Sequence, residues 1–536
     1  MSFARAVTTV AGLTMVSRVL GFIRDLLTAA ILGAGPAADA YFVAFKLPNL
    51  FRRLFAEGAF SVTFVPLFAK AAHAEGQEAA AQFAEEAQAM LLTILVSLTI
   101  ALLLFMPAVM QVLAPGFERS GERYALAVKL CRITFPYLTL VSITALQGGV
   151  LNALDRYGPF ATAPILFNLS LIAGLLATPL FPSAAYALSW GEFAAGIVQV
   201  VWMMGSCRRA GILLKLRWPR LTPRVKRLFI LMGPAAVGAG AVQINIFIDT
   251  MIGSLLPTGS ISDLYYAERL YQLPLGVIGV AVGTALLPAL ARHVRDGDVP
   301  GAKQLESRAI EASLLLSLPA AIALMVSGRP IEIALFARGA FSVENAVHTA
   351  GALAAYSAGI PAYVLAKTLS TAYFAREDTK TPLKFSLITV ALNTAFALFF
   401  VLVLHWGIVG ISAATGITAW MNVGMLAWGL RSRGLLGFDA RLRRVLPRIL
   451  LATAAMAAAL FAIQRPLDGW WAADLGHRGA GMALLVGGGL AVYFGAILAT
   501  GASSVGEIAG LVRRERRSGL TAPPNEADKA LPSIPF

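Results

Sequence analysis

The chain has 536 residues, of which 58% are hydrophobic and only 14% are charged, and its mean hydropathy is +0.72. This composition excludes a water-soluble globular domain, in which about 25% of residues are charged. A net charge of +15 is typical of many nucleic-acid-binding proteins. Here most of the positive residues lie in the loops between apolar stretches, which is the distribution expected of a membrane protein. No nucleic acid partner is therefore predicted.

The apolar stretches predict an all-α polytopic membrane protein with about fourteen transmembrane helices. A helix needs about 20 apolar residues to cross a hydrocarbon core of about 30 Å. Proline interrupts the second stretch at Pro48 and Pro66, and the eighth at Pro274 and Pro288. In chain order the stretches are residues 7–33, 38–69, 88–113, 125–152, 160–180, 185–207, 228–256, 262–291, 304–328, 346–375, 382–404, 408–430, 446–464 and 480–501.

The distribution of lysine and arginine predicts the orientation of the chain. Loops on the side of both termini carry 29 Lys and Arg, the opposite loops carry 6, and 9 lie within the apolar stretches. Loops rich in positive charge stay in the cytoplasm, so both termini are predicted to be cytoplasmic. Residues 506–536, with an arginine cluster and a polar, proline-containing end, are predicted to form a disordered cytoplasmic tail.

The sequence repeats itself at an offset of 222 to 226 residues. Residues 39–42 (DAYF) match 263–266 (DLYY), and Asn168 matches Asn393. Such a repeat predicts two homologous six-helix lobes in the same membrane orientation around a central cavity, which rock against each other during transport. The predicted units are an N-terminal lobe, a C-terminal lobe, two extra helices and the tail, at residues 1–220, 221–432, 433–505 and 506–536.

Cations inside the apolar stretches give the first functional indication. Arg18, Arg24, Lys46, Arg52 and Arg269 lie at predicted bilayer depth, where a charge costs at least about 2.5–3.5 kcal/mol and usually serves a function. The alternative is that they are structural ion pairs or snorkel to the headgroups, but acidic partners are few. An excess of guanidinium groups in a buried cavity predicts an anionic substrate such as a phosphate or pyrophosphate.

The chain lacks the sequence motifs of an ATP-driven pump or of a prenyl-phosphate transferase. We find no P-loop of the form GxxxxGK[ST] and no acidic cluster that would hold magnesium. No cofactor or bound metal is therefore predicted. The energy for transport must then come from an ion gradient, such as that of Na⁺, or from the membrane potential.

Several motifs resemble those of a known family. Residues 20–25 (LGFIRD), 38–50 (ADAYFVAFKLPNL), 52–60 (RRLFAEGAF), 265–269 (YYAER) and 378–382 (DTKTP) resemble the MurJ (MviN) lipid II flippase family, within the multidrug/oligosaccharidyl-lipid/polysaccharide (MOP) exporter superfamily. The resemblance covers the first twelve apolar stretches by sequence and the last two by position. At position 268 the chain has Glu where the family often has Asp.

The resemblance implies a lipid II flippase in the bacterial cytoplasmic (inner) membrane. Such a protein moves undecaprenyl-pyrophosphate-linked disaccharide-pentapeptide to the periplasmic leaflet by alternating access, and a groove on the last two helices accepts the polyprenyl tail. Further expected partners are membrane lipids and the machinery of cell-wall synthesis and division. The implied substrate-binding residues are Arg18, Arg24, Arg52 and Arg269, and the implied pairing or gating residues are Asp25, Asp39, Lys46, Arg53, Glu57 and Glu268.

A sodium site is also implied by the resemblance to some family members. Its candidate residues are Asp249, Asp378, Asn393 and Thr394, with Asn245 nearby, and structural polar contacts are the alternative. Two other functions remain open from the residues alone. A multidrug or cation antiporter of the same superfamily should have a carboxylate-lined cavity, and a membrane-embedded lipid-carrier transferase should have converging catalytic carboxylates or histidines.

Overall fold

The computed structural model describes residues 3–52, 60–503 and 506, and the secondary structure of these residues is helical throughout. They form eighteen α-helices, with a short 3₁₀ turn after α8 and a π-helical turn after α15. The helices are α1 Phe3–Leu32, α2 Pro36–Phe51, α3 Ser61–Glu75, α4 Gln77–Leu104, α5 Met106–Leu113, α6 Glu122–Thr134, α7 Tyr137–Ala153, α8 Gly158–Leu176, α9 Ala184–Arg209, α10 Pro223–Ser254, α11 Ser260–Arg295, α12 Val299–Phe336, α13 Val343–Ser357, α14 Ile360–Phe374, α15 Lys380–Leu398, α16 Gly407–Ser432, α17 Ala440–Ala472 and α18 Leu475–Ala499.

Ten helical spans among the described residues are long and apolar enough to cross a membrane. The all-helical membrane fold predicted from the sequence is confirmed, whereas the count of fourteen crossings stays a prediction. Four of the predicted stretches are each divided between two consecutive helices: α2 and α3, α4 and α5, α6 and α7, and α13 and α14. Residues 507–536 of the predicted tail, together with Arg53 and Glu57, lie outside the described residues.

Side-chain caps fix the starts of several helices. In a hydrocarbon environment the backbone must satisfy its own hydrogen bonds, so an uncapped helix end is costly. At five helix starts a side-chain oxygen accepts a backbone N–H of the first turn, as N-cap residues generally do. These residues are Thr222, Asp298, Ser342, Asp439 and Asp474.

The helices before and after residue 220 use matching packing partners. In the first half α1 packs on α8, α2 on α6, and α9 on both α7 and α8. In the second half α10 packs on α15, α11 on α13, and α16 on both α14 and α15. The last two helices, α17 and α18, pack on each other and on α12.

The two halves meet along α2 and α11 through an aromatic cluster. Phe42 stacks on Tyr265 with ring centroids 3.9 Å apart, and Tyr266 stands edge-on to Phe42. Where α1 ends, the approach is close enough to require glycine: Gly339 has φ +59°, and a Cβ on it would lie 2.1 Å from the carbonyl oxygen of Ala30. This contact closes one end of the molecule, and the polar cavities lie away from it, deeper between the halves.

Candidate functional site

A cavity of about 460 Å³ is lined by residues of α1, α2 and α7 to α11. It has the size of an ordinary small-molecule site, which is about 300–1,000 Å³. Among the described residues that line it, four are cationic and one is acidic. The four are Arg24, Lys46, Arg52 and Arg269, and the acid is Glu268. We refer to it as the cation-lined cavity; it brings together three of the four arginines that the sequence analysis selected.

Arg24 is held in a fixed orientation at the wall of this cavity. Its Nε and Nη2 donate to Asp25 Oδ1 over 3.1 and 2.7 Å, and its Nη1 donates to Asn168 Oδ1 over 2.9 Å. Asn168 is anchored in turn, because its Nδ2 donates to the carbonyl oxygen of Ser17. Tyr265 from α11 donates its hydroxyl to the same Asp25 oxygen. Asp25 therefore pairs with Arg24, as expected, and also ties α1 to α11.

Arg52 is supported by a buried acid that the sequence analysis missed. Its Nε donates to Asn49 Oδ1 over 3.1 Å, and Asn49 Nδ2 donates to Glu192 Oε1 over 3.2 Å. Glu192 on α9 is fully buried. An acidic residue in the middle of the sixth apolar stretch was the available signal, since charges at that depth are normally paired or functional.

Arg269 presents its guanidinium group over an aromatic ring. Its Cζ lies 4.6 Å from the Tyr265 ring centroid, a cation–π contact that orients the group. Within the described part of the chain, its buried Nε has no hydrogen-bond partner. An oriented guanidinium with an unused donor is suited to bind an anion, because a buried N–H without an acceptor is costly.

Arg18 lies apart from the other three arginines. Its side chain is exposed, does not line the cation-lined cavity, and rests against Gly276 of α11, where an added Cβ would be 3.3 Å from Arg18 Nη1. Its role in substrate binding stays a prediction.

A second cavity, of about 310 Å³, adjoins the first and is bounded by α10, α11, α14, α15 and α16. At its wall Asn393 Nδ2 donates to Asn245 Oδ1 over 2.8 Å and to Asp249 Oδ1 over 3.1 Å. Thr418 donates to Asn393 Oδ1. We call this the amide-lined cavity; it unites two residues of the candidate sodium site, Asp249 and Asn393, with the nearby Asn245.

The other two candidate sodium ligands lie elsewhere. Asp378 sits at the start of α15, about four helical turns from Asn393, where it accepts from Thr381 and forms a 2.8 Å ion pair with Arg433. Thr394 donates to the carbonyl oxygen of Val390 and does not line the cavity. Asp378 and Thr394 therefore do not lie with Asp249 and Asn393 at this cavity, and the four-residue sodium site stays a prediction.

Asp39, an expected pairing or gating residue, lines neither cavity. It is fully buried and accepts from the backbone N–H groups of Gly259 and Ser262 over 2.7 and 2.9 Å. It also pairs with Arg123 over 3.3 Å. Because the N-terminus of a helix favours a carboxylate, Asp39 caps α11 and joins it to α2 and α6. We call this contact the α2–α11 seam; it agrees with a gating role.

Comparison with known proteins identifies the family. A family model described as lipid II flippase MurJ matches residues 28–474. A probable lipid II flippase MurJ of Rhizobium meliloti is 44% identical over 532 residues, which cover 97% of this chain and 98% of the relative. The lipid II flippase MurJ of Burkholderia cenocepacia is 34% identical over 441 residues, covering 81% and 85%.

Solved structures show the same fold. A lipid II flippase MurJ in an inward closed conformation superposes with a TM-score of 0.77 at 24% identity, covering 91% of this chain and 97% of that one. An inward-facing multidrug resistance MATE transporter of the MOP superfamily superposes with a TM-score of 0.67 at 15% identity, covering 80% and 97%. The match to the family model and to relatives over nearly the whole chain separates it from the drug antiporters, which share the fold. The chain belongs to the lipid II flippase MurJ family, a family of membrane transporters and not of enzymes.

Proposed function

We propose that this flippase binds the pyrophosphate of lipid II in the cation-lined cavity and carries it from the cytoplasmic to the periplasmic leaflet of the inner membrane. The observation that carries the proposal is the charge of that cavity, where four cations face one carboxylate among the described lining residues. Guanidinium groups bind phosphate through paired hydrogen bonds, which are stronger where water is scarce.

The three cavity arginines have different parts in this proposal. Arg269 lines the cavity with its guanidinium group oriented by the Tyr265 ring, and we assign it the first contact with the pyrophosphate. Arg24 and Arg52 are held by Asn168 and Asn49, so that their positions are set before the substrate arrives. Preorganised donors bind more tightly because no ordering cost is left to the binding step.

The finer architecture is part of the proposal. Residues 1–220 and 221–432 act as two lobes with fourteen crossings in all, supported by the matching packing partners of the two halves. With both termini in the cytoplasm, the α2–α11 seam lies at the periplasmic end and must open to release the headgroup. Residues 433–505, which include α17 and α18, offer an apolar surface to the polyprenyl tail, and enzymes of cell-wall synthesis and division are the expected receivers of lipid II.

A sodium ion is the proposed coupling ion, together with the membrane potential. The amide-lined cavity fits such an ion: its polar wall combines the Asp249 carboxylate with amide and hydroxyl oxygens, the donors that hard cations prefer. Among the described residues, no group of three or more His, Cys, Asp or Glu side chains is placed to hold a metal ion, which fits a monovalent ion better than a divalent one. Exchanging the two ends of the Asn393 amide would add a third oxygen beside Asn245 and Asp249.

The repeat supports this assignment. Asn168 and Asn393 are equivalent positions, and so are Asp25 and Asp249. In the first half the guanidinium of Arg24 lies between Asp25 and Asn168. In the second half Asp249 and Asn393 meet directly. The first lobe thus has a built-in cation, the guanidinium of Arg24, at the position where we propose that the second lobe binds a sodium ion.

Complementation tests the flippase proposal. Cells depleted of their own flippase would receive the wild type, Arg24→Ala, Arg269→Ala or the control Arg132→Ala at matched expression, and lipid II exposed on the outer leaflet would be measured. Arg132 is a membrane-segment arginine that lines neither cavity. We expect exposure with the wild type and control, and a loss of at least tenfold in both cavity variants. Full activity of both Arg24→Ala and Arg269→Ala would show that these two arginines are not needed for transport.

A further inference from the structure

Lys46 is placed to act on both cavities. The amide-lined and cation-lined cavities adjoin, and they share the lining residues Lys46, Ile246 and Glu268. Lys46 comes from α2 in the first half, but its Nζ donates to Thr250 Oγ1 of α10, in the second half, over 3.0 Å. Thr250 directly follows Asp249, which with Glu268 is one of the two acids that line the amide-lined cavity.

The charges around Lys46 differ in sign between its two sides. The charged groups that act on its ammonium are Glu268 and Asp249, which attract it, and Arg269, which repels it. In the described conformation the ammonium is hydrogen-bonded to Thr250, the residue that follows Asp249. A lysine stem has four carbons and free rotation, so the ammonium can reach either side without movement of the backbone.

We propose that Lys46 couples the two sites by exchange. Its ammonium is the internal counter-ion of Asp249 and Glu268 while no cation is bound in the amide-lined cavity. With a monovalent cation bound there, the two positive charges repel each other, and Lys46 turns into the cation-lined cavity as a further contact for the pyrophosphate. This inference rests on the proposed function and deepens it, because it names the residue that links ion binding to substrate binding.

Linkage makes the inference quantitative. If a cation frees Lys46 for the substrate, the cation raises substrate affinity, and the substrate must raise cation affinity by the same factor. Couplings of this kind amount to about 5-fold to 150-fold. The opposite arrangement, with Lys46 as a static structural pair of Thr250, predicts no coupling through this residue.

The test measures two affinities on the purified full-length protein in lipid nanodiscs. Lipid II binding would be measured in sodium chloride and in choline chloride at equal ionic strength, and ²²Na⁺ binding would be measured with and without lipid II. The variants are Lys46→Met, Thr250→Val and the control Lys367→Met. Lys367 is another lysine within a membrane segment, and it lines neither cavity.

For the wild type and Lys367→Met we expect sodium to tighten lipid II binding about tenfold. In Lys46→Met the sodium effect on lipid II should disappear, and ²²Na⁺ should bind more tightly than in the wild type, because the internal competitor is gone. Thr250→Val keeps the ammonium of Lys46 but removes its hydrogen bond, so this variant should bind lipid II more tightly than the wild type in choline chloride. It also tests the proposal if Lys46→Met does not fold.

Two different failures can be told apart. A wild type that binds no lipid II in either salt contradicts the proposed function itself. A wild type that binds lipid II without any sodium effect, or a Lys46→Met protein that keeps the full effect, overturns only the role of Lys46.

Discussion

Glu192 sets the electrical balance of the cation-lined cavity from behind its wall. It accepts from Asn49, which accepts from Arg52, and the acid itself is fully buried. Glu192 therefore keeps Arg52 stable without occupying the donors that face the cavity.

We expect Glu192→Gln to bind lipid II more tightly and to transport it more slowly. Glutamine keeps an oxygen for Asn49, so Arg52 stays in place, while one negative charge near the pyrophosphate is lost. At about 8 Å and an effective dielectric constant of about 20, a unit charge contributes at most about 2 kcal/mol, which becomes about threefold to tenfold in affinity after screening.

Equilibrium binding and outer-leaflet exposure of lipid II would be measured on the same preparations. Glu332→Gln is the control, because Glu332 is also fully buried but lines neither cavity. Weaker binding by Glu192→Gln would show that the acid positions Arg52 and does not tune the charge.

Sequence reasoning found the cavity arginines and Asp25, which pairs with Arg24, but not the asparagines that hold Arg24 and Arg52. An arginine at bilayer depth is visible in any apolar stretch, so Arg24, Arg52 and Arg269 could be selected one by one. Asn49 and Asn168 are polar residues without charge, and their importance comes from contacts with other helices. Asp378 was grouped with Asn393 from the family resemblance, which does not show that about four turns of helix separate the two residues.

At the scale of the helix, Asp378 fastens the start of α15 to the end of α16. It lies outside the membrane spans, and its hydrogen bonds to Arg433 and Thr381 lower its pKa from 3.8 to about 2. A carboxyl group whose pKa is lowered by folding stabilises the protein above its unfolded pKa, and this contribution is lost as the pH falls through the folded pKa.

We therefore expect Asp378→Ala to reduce stability at pH 7 by about 1 kcal/mol, as the loss of a helix cap does. The difference from the wild type should shrink below about pH 4 and vanish only below the folded pKa of about 2. Thermal unfolding of both proteins in detergent across this range checks the expectation. A difference that is the same at pH 7 and near pH 2 would mean that the carboxylate charge is not involved.

The α2–α11 seam should respond to a substitution that keeps its shape. In Asp39→Asn the amide replaces one oxygen that accepts from backbone N–H groups, and the ion pair with Arg123 is lost. The closed end then loses part of its stabilisation, so we expect a larger population of molecules open at this end.

Spin labels at Glu122 and Glu344 report the opening. Both are exposed residues in the first turns of α6 and α13, on opposite halves of the molecule. Their distance distribution should gain a longer component in Asp39→Asn, with the native cysteines replaced in all proteins. An unchanged distribution would limit Asp39 to capping α11.

For the whole molecule, orientation is the prediction that remains to be measured. We expect a fluorescent protein fused at either terminus to be bright, because it folds in the cytoplasm. Alkaline phosphatase inserted after Asp474, between α17 and α18, should be active, because it needs the periplasm. A fluorescent protein that is bright at only one terminus would contradict an even number of crossings. Inactive alkaline phosphatase after Asp474 would place the loop between α17 and α18 in the cytoplasm and so contradict the predicted orientation.

The fold was predictable in kind but not in detail. Hydropathy predicted an all-helical membrane protein because a helix that crosses the lipid needs about 20 apolar residues. The breaks within the second, third, fourth and tenth stretches were only partly visible, since packing against neighbours decides whether a chain bends at Pro48 or continues through it. Pro274 and Pro288, which suggested a broken eighth stretch, lie within the continuous helix α11.

The built-in cation of the first lobe also has an evolutionary consequence. Gly21 and Asn245 are equivalent in the repeat, and Asn245 stands one helical turn before Asp249 on the same face. A lysine at position 245 would place a permanent charge beside Asp249, as Arg24 does beside Asp25. The single substitution Asn245→Lys would then convert a sodium-dependent flippase into one that no longer needs the ion. Selection for growth at low sodium should enrich Asn245→Lys if the second lobe uses sodium, and should leave it rare if it does not.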